Sequence, residues 1–326
     1  MDIEPIFIFY VSRSGSTLLQ RVLAAHPGVT TVSEPWILLP LIYSRRQRGV
    51  IADYGHPQLV SAVADFVEQL PNGAQEYDEA IRRFVLDLYR RAAGPDARYF
   101  VDKSGQSHVA ADVMRIFPDA KFVFIWRSPL GIIGSMMDTW SAGGWCPTMY
   151  HGDLFDCLPR MVETYAANQD RAHAVNFETL VSGDERSWRE LIRYVGIDFE
   201  PHALREFSSV RLEGRMGDQT GVTQYSSLST EPIDKWRRNI VNPVRLEWCR
   251  RYLRFLGEER LSVMGYSLPE LLAELDEQPF STDRLPSDIV RGTVDVLKEP
   301  VRVRIRRMGL TGPSPVRELA RYGNHA

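Results

Sequence analysis

The sequence predicts an α/β fold, a parallel sheet flanked by helices, and three observations carry that prediction. Short β-branched and aromatic runs at 6–11, 99–102 and 121–126 have the look of strands buried on both faces. Stretches with helical apolar spacing follow them, as at 17–25, 109–117 and 129–139. The strand–helix alternation then repeats along the chain, which favours parallel pairing with helices on both faces.

Taken in order, the run at 6–11 predicts a first buried strand. Residues 12–16 are small and polar around Gly15, and the helix after them stops at His26-Pro27-Gly28. A second short strand is predicted at 29–33, and the residue before Pro35 is pushed toward extended geometry. Residues 36–98 read as a helical insertion, with amphipathic stretches LVSAVADFVEQL and YDEAIRRFVLDLYRR. A further βα stretch runs from Ala174 through 188–195. The domain expected from this pattern spans 1–270. Residues 271–326 read as a peripheral appendage that contains the Arg-rich VRVRIRRMGL.

Composition bounds the function. The chain has 326 residues, 44% hydrophobic and 25% charged, enough for a full core without disulfides or a structural metal. A net charge of −3 argues against a protein that coats nucleic acid, so no nucleic-acid partner is expected. Cys146, Cys157 and Cys249 lack a C-x-x-C spacing and read as reduced thiols, with no metal site expected. The acidic start and the absence of a long apolar stretch predict a soluble, cytoplasmic protein with no membrane span.

The turn Ser12-Arg13-Ser14-Gly15-Ser16-Thr17 sits where a strand gives way to a helix. There backbone N–H groups and a helix N-terminus can bind an anion. Gly15 lets the backbone come close, the hydroxyls of Ser14, Ser16 and Thr17 add donors, and Arg13 adds a planar cation. The other reading is a polar turn with a Ser or Thr helix cap. Against G-x-x-x-x-G-K-[ST], the loop lacks the first Gly and the Lys, which disfavours a Mg-nucleotide hydrolase. A second constellation, Arg127 at a strand end and Ser135 on the following helix, has the residue types to grip another phosphate. Singly, they also fit a surface ion pair and a helix-packing small residue.

These residues resemble the sulfotransferases that use 3′-phosphoadenosine 5′-phosphosulfate (PAPS). F-x-x-S-R-S-G-S-T-L-L is similar to that family's 5′-phosphosulfate loop, and F-V-F-I-W-R-S-P-L-G-I-I-G-S to its 3′-phosphate motif. Val175-Asn176-Phe177-Glu178-Thr179-Leu180 resembles a family strand end, and Lys235-Trp236-Arg237 a late lysine–tryptophan segment. The resemblance implies a P-loop NTPase-like sulfotransferase fold. It implies PAPS as co-substrate, 3′,5′-diphosphoadenosine (PAP) as product, a hydroxyl-bearing acceptor and no metal. Residue by residue, it places Arg13, Ser14, Gly15, Ser16 and Thr17 around the 5′-phosphosulfate and Arg127 and Ser135 on the 3′-phosphate. Phe177 falls at an adenine contact, where many members have Tyr. Lys235 and Arg237 stand as 3′-phosphate or loop contacts.

For the base, the K-T-H-like motif of cytosolic small-molecule members is missing, because the chain has Asp102-Lys103-Ser104-Gly105. The segment RSGSTLLQRVLAAHPGVTTVSEPW instead resembles tyrosylprotein and related Golgi-type members, whose base corresponds to Glu34. His108 and His56 are the fallback bases, and Arg13 and Lys103 the charge-stabilising catalytic cations. The acceptor pocket is expected from 36–43, the helices up to Ala97, and a lid-like or merely anchored loop at 140–145. A P-loop small-molecule kinase and a non-catalytic nucleotide-binding protein are the alternatives.

Overall fold

In the computed structural model the described residues are 3–50, 52–105, 107–198, 203–214, 216 and 227–291. Five parallel strands, β1 (Glu4–Phe9), β2 (Val29–Thr31), β3 (Tyr99–Asp102), β4 (Lys121–Trp126) and β5 (Ala172–Asn176), form one sheet in the order β2-β3-β1-β4-β5. The register pairs Phe7 with Asp102 across β1 and β3, and Phe9 with Phe124 across β1 and β4. Loops leaving β3, β1 and β4 therefore emerge side by side at the carboxyl edge, where open α/β sheets bind ligands.

Period-two alternation divides the strand residues between two cores. Phe7, Phe9, Phe100, Phe122, Phe124 and Trp126 join the larger cluster, while Ile6, Ile8, Val101, Val123 and Ile125 join the smaller one. Helix α1 (Ser16–Ala24) packs Leu19, Val22 and Leu23 into the smaller core. Helices α2 (Leu38–Tyr43), α3 (His56–Glu68) and α4 (Gly73–Ala92) fill most of the predicted insertion. Ile81, Val85 and Tyr89 of α4 lie in the larger core, so this region is also part of the scaffold. Helices α5 (Ala110–Ile116) and α6 (Pro129–Ser141) flank β4, and α7 (Leu158–Ala166) precedes β5. No helix among the described residues is long and apolar enough to cross a membrane.

Part of the segment expected as an appendage lies among the described residues and packs on the rest of the chain. Helix Leu268–Asp276 runs through the 270/271 boundary and packs on helix Pro243–Val263. Beyond it, Asp288 forms a buried ion pair with Arg245 at 2.6 Å, both side chains 1% exposed. Arg284 and Arg245 both donate to the Gly143 carbonyl, at 2.6 and 3.2 Å. A buried ion pair organises its surroundings because neither charge can be left alone in a low-dielectric interior. Asp288→Ala is therefore expected to lower unfolding free energy by about 3–5 kcal/mol, read as a lower denaturant midpoint. The Arg-rich stretch at 301–310 lies outside the described residues.

The same contacts settle the loop at 140–145. Trp145 is buried and packs edge-on against Trp248 at 5.3 Å, and the Gly143 carbonyl is held by the two arginines above. The loop is anchored, and the lid expectation is set aside for that reason.

Candidate active site

The first loop is bent by two left-handed residues, Arg13 (φ 72°) and Gly15 (φ 91°). Gly15 is required on two counts. Its positive φ suits glycine, and a Cβ there would stand 2.3 Å from the Phe177 ring. Helix α1 begins directly after Gly15 without a side-chain cap, so the cap alternative fails. Its first N–H groups have no intrahelical acceptor and carry the positive end of the helix dipole. Ser14 Oγ is buried with no hydrogen-bond partner among the described residues. An uncapped helix start beside an orphaned hydroxyl and a glycine without room for a Cβ fits a bound phosphate or sulfate group.

The second motif folds onto the first. Arg127 donates to the Arg13 carbonyl at 2.6 Å and to the Pro232 carbonyl at 2.7 Å, and its guanidinium stacks on Phe177 at 4.4 Å. Arg13 Nε donates to Ser135 Oγ at 3.2 Å. Arg13, Gly15, Thr17, Arg127, Ser135 and Phe177 all line one open cavity of about 770 Å³. Lys235 also lines it while paired with Glu231 at 2.9 Å. Arg237 does not belong there. It stacks on Trp236 and pairs with Asp234 and Glu274, each at 3.3 Å, because its short helical turn points it at helix Leu268–Asp276. The cavity also takes in Arg21 and Phe207, which the sequence reading missed. Arg21 is buried, its guanidinium 5.3 Å from the Phe207 ring, and burial lowers its pKa.

Next to this cavity, a carboxylate and an ammonium meet. Lys103 Nζ donates to Glu34 Oε1 at 2.6 Å and lies 3.4 Å from Thr17 Oγ1. Tyr10 OH donates to the same carboxylate oxygen at 3.0 Å, and Trp36 Nε1 to Oε2 at 2.9 Å. Burial, followed by the Glu34 charge, pushes the Tyr10 phenol well above its usual range, so it remains a donor. Placement starts in α1, where Gln20 Nε2 donates to Thr31 Oγ1, Val32 O and Ser33 O and holds the strand exit leading to Glu34. On the other side, Ser107 Oγ accepts from the Tyr10 N–H at 2.6 Å and donates to its carbonyl at 2.7 Å. The structure thus separates the two predicted catalytic cations: Lys103 joins Glu34, and Arg13 joins Ser135.

The fallback histidines are accounted for elsewhere. His108 Nε2 is 3.0 Å from Tyr43 OH, and burial together with Arg46 and Arg160 lowers its pKa. It lines a second, larger cleft of about 1480 Å³ rather than the Glu34–Lys103 contact. His56 Nε2 is bound at the Arg46 carbonyl, 2.8 Å away. The second cleft is walled by Tyr10, Tyr43, Gly105, His108, Met149 and Asp153. Tyr43 comes from the predicted acceptor segment. The 148–160 wall was missed, because its short and π-helical turns carry no clean period. Asp153, held by Ser12, has its pKa raised by burial. Among the described residues no cluster of His, Cys, Asp and Glu has the makings of a metal site.

The structure thus brings together a parallel α/β sheet, a loop after β1 bent at Gly15 and a buried Glu34–Lys103 pair beside it. A profile of the sulfotransferase family matches residues 5–201, and the chain belongs to that family. It is a PAPS-dependent sulfotransferase. It is 24% identical over 286 residues to protein-tyrosine sulfotransferase 2 of Gallus gallus, covering 85% of this chain and 70% of that one. It is 28% identical over 308 residues to nodulation protein NoeE of Sinorhizobium fredii, covering 81% and 67%. Among solved structures, the sulfotransferase domain from the Synechococcus PCC 7002 olefin synthase matches at TM-score 0.48. That match has 24% identity and covers 72% of this chain and 88% of that one.

Proposed function

We propose that the enzyme moves the sulfuryl group of PAPS, by in-line and metal-independent transfer, to a hydroxyl of a small-molecule, carbohydrate or carrier-bound acceptor. The observation that carries this is the buried Lys103–Glu34 contact at 2.6 Å, set between the anion loop and a separate open cleft. Ser14, Gly15, Ser16 and Thr17 would hold the 5′ end of the donor, and Arg127, Ser135 and Lys235 its 3′-phosphate, with Phe177 and Phe207 offering apolar surface to the base. Bound there, the donor supplies an activated sulfuryl group.

The chain's own work is positioning and charge. Arg127 ties the two phosphate motifs together through the Arg13 carbonyl. Lys103, only 2% exposed, keeps a cation beside Thr17 where negative charge would develop on the leaving side. Glu34 is the group that takes the acceptor's proton, its two oxygens aimed by Lys103, Tyr10 and Trp36. The acceptor would enter through the cleft walled by Tyr43, His108, Met149 and Asp153. As in phosphoryl transfer, such a site needs little covalent chemistry of its own. A cytoplasmic setting is part of the same proposal, and it rests on the reduced-thiol pattern of the three cysteines.

Calorimetric titration with PAP in metal-free buffer, beside ATP with Mg²⁺, tests the donor assignment. Tight metal-independent binding of PAP is expected. A preference for Mg-ATP, or binding of neither, would overturn it in favour of a kinase or a non-binding relic of the fold.

A further inference from the structure

We propose that Trp36 is a positioning residue for Glu34, acting through its indole N–H; the inference rests on the reading of Glu34 as the base. Three features set Trp36 apart. Its backbone is left-handed, with φ 54°, a strained conformation for a bulky residue. The residue is 40% exposed, not a fully buried core aromatic. Its one polar atom meets the Glu34 carboxylate, Nε1 to Oε2 at 2.9 Å.

The strain is held in place by strand β3. Trp36 N–H donates to Ser104 Oγ at 3.0 Å, and Ser104 Oγ donates to Asp102 Oδ1 at 2.5 Å. Tyr89 OH donates to the other oxygen of Asp102. Asp102 and Ser104 are both fully buried. The residue after Asp102 is Lys103, which binds Glu34 Oε1 directly. The end of β3 therefore reaches the carboxylate twice, once through the ammonium on Oε1 and once through the indole on Oε2. Gly105 leaves room for this arrangement, since a Cβ there would stand 3.0 Å from Trp36 Cζ2.

Without the indole donor, Oε2 loses its fixed direction while Lys103 and Tyr10 still hold Oε1. The carboxylate can then rotate about the Oε1 contacts, and the oxygen that must meet the incoming hydroxyl is no longer aimed. Misplacement of a catalytic group by about 1 Å can cost about a hundredfold in rate. Among the described residues, Lys103 and Tyr10 are the titratable groups that donate to Glu34, and Trp36 is the donor to it that never titrates.

The test uses the full chain and PAPS alone, with water as the acceptor and sulfate release as the readout. Trp36→Phe keeps an aromatic ring and removes the N–H. Release is expected to fall about ten- to a hundredfold, with the Kd for PAP by calorimetry within about twofold of the parent. In a Glu34→Gln background, Trp36→Phe should then cost nothing more, because its effect passes through that carboxylate. A second readout needs no turnover. In protein carrying ¹⁵N-labelled indoles, the Trp36 N–H resonance, identified by its loss in Trp36→Phe, should move in Glu34→Gln. Parent-like release by Trp36→Phe beside a slow Glu34→Gln would overturn this inference and leave the base assignment standing. So would losses that multiply in the double variant, or an indole resonance indifferent to Glu34. Parent-like release by Glu34→Gln would overturn the base assignment and this inference with it.

Discussion

Arg127→Ala is expected to raise the Kd for PAP at least about thirtyfold, since truncating a buried hydrogen-bonded charge at an interface costs about 2–5 kcal/mol. The side chain is 5% exposed and does three things at once. It brings a fixed cation to the cavity, braces the Arg13 carbonyl at the strained turn of the first loop, and ties in the Pro232 carbonyl. Its stacking on Phe177 matters as well, because that ring lies directly behind Gly15. Arg127→Lys keeps the charge but not the planar fork, so it should recover part of the binding and not all of it. Calorimetry with PAP measures both variants, and a thermal melt of each separates loss of binding from loss of fold. PAP binding by Arg127→Ala at parent affinity would show that the second motif serves the scaffold and not the donor.

Glu34→Gln is expected to lower turnover by about 10²–10⁴ while PAP binding stays near the parent value. The amide keeps an oxygen for Lys103 and Tyr10 but cannot take a proton. Lys103 is 2% exposed, so losing the negative partner also leaves an ammonium less well compensated, and the melting temperature should fall modestly. Retention of PAP affinity is what separates a lost base from a collapsed site. Near-parent turnover would move the base to the cleft, where His108, His151, Asp153 and Asp156 are among the titratable groups at hand.

Much of this site was legible in the one-dimensional sequence because its parts are local. The first loop is a contiguous strand–turn–helix, and Gly15 marks the turn by being the residue that tolerates φ 91°. Arg127 and Ser135 are one strand end and one helix start. Strands β1, β3 and β4 announce themselves as short apolar runs because both faces are buried. The sequence predicts 6–11 for the first strand and the structure has Glu4–Phe9, which releases Tyr10 from the ladder to face Glu34.

Other parts had no local signal. Tyr10 reads as the end of an apolar strand, Trp36 as an aromatic of the acceptor side, and Ser107 and Gln20 as ordinary polar residues. Their roles come from partners far along the chain, such as Gln20 with Val32 and Ser33, or Ser107 with Tyr10. Arg237 erred in the opposite direction. Its neighbours match a motif, yet the helical turn it sits on directs it to Glu274.

The turn at Gly15, strand burial and the contiguous segments around Gly15 and Arg127 are thus properties the sequence determines by itself, through φ preferences and the period of its apolar residues. Which cation sits beside the carboxylate was decided only in three dimensions, by the strand order β2-β3-β1-β4-β5. That order sets the end of β3 next to the end of β2, so Lys103 meets Glu34. It also sets β4 on the far side of β1, so Arg127 and Ser135 meet Arg13 instead.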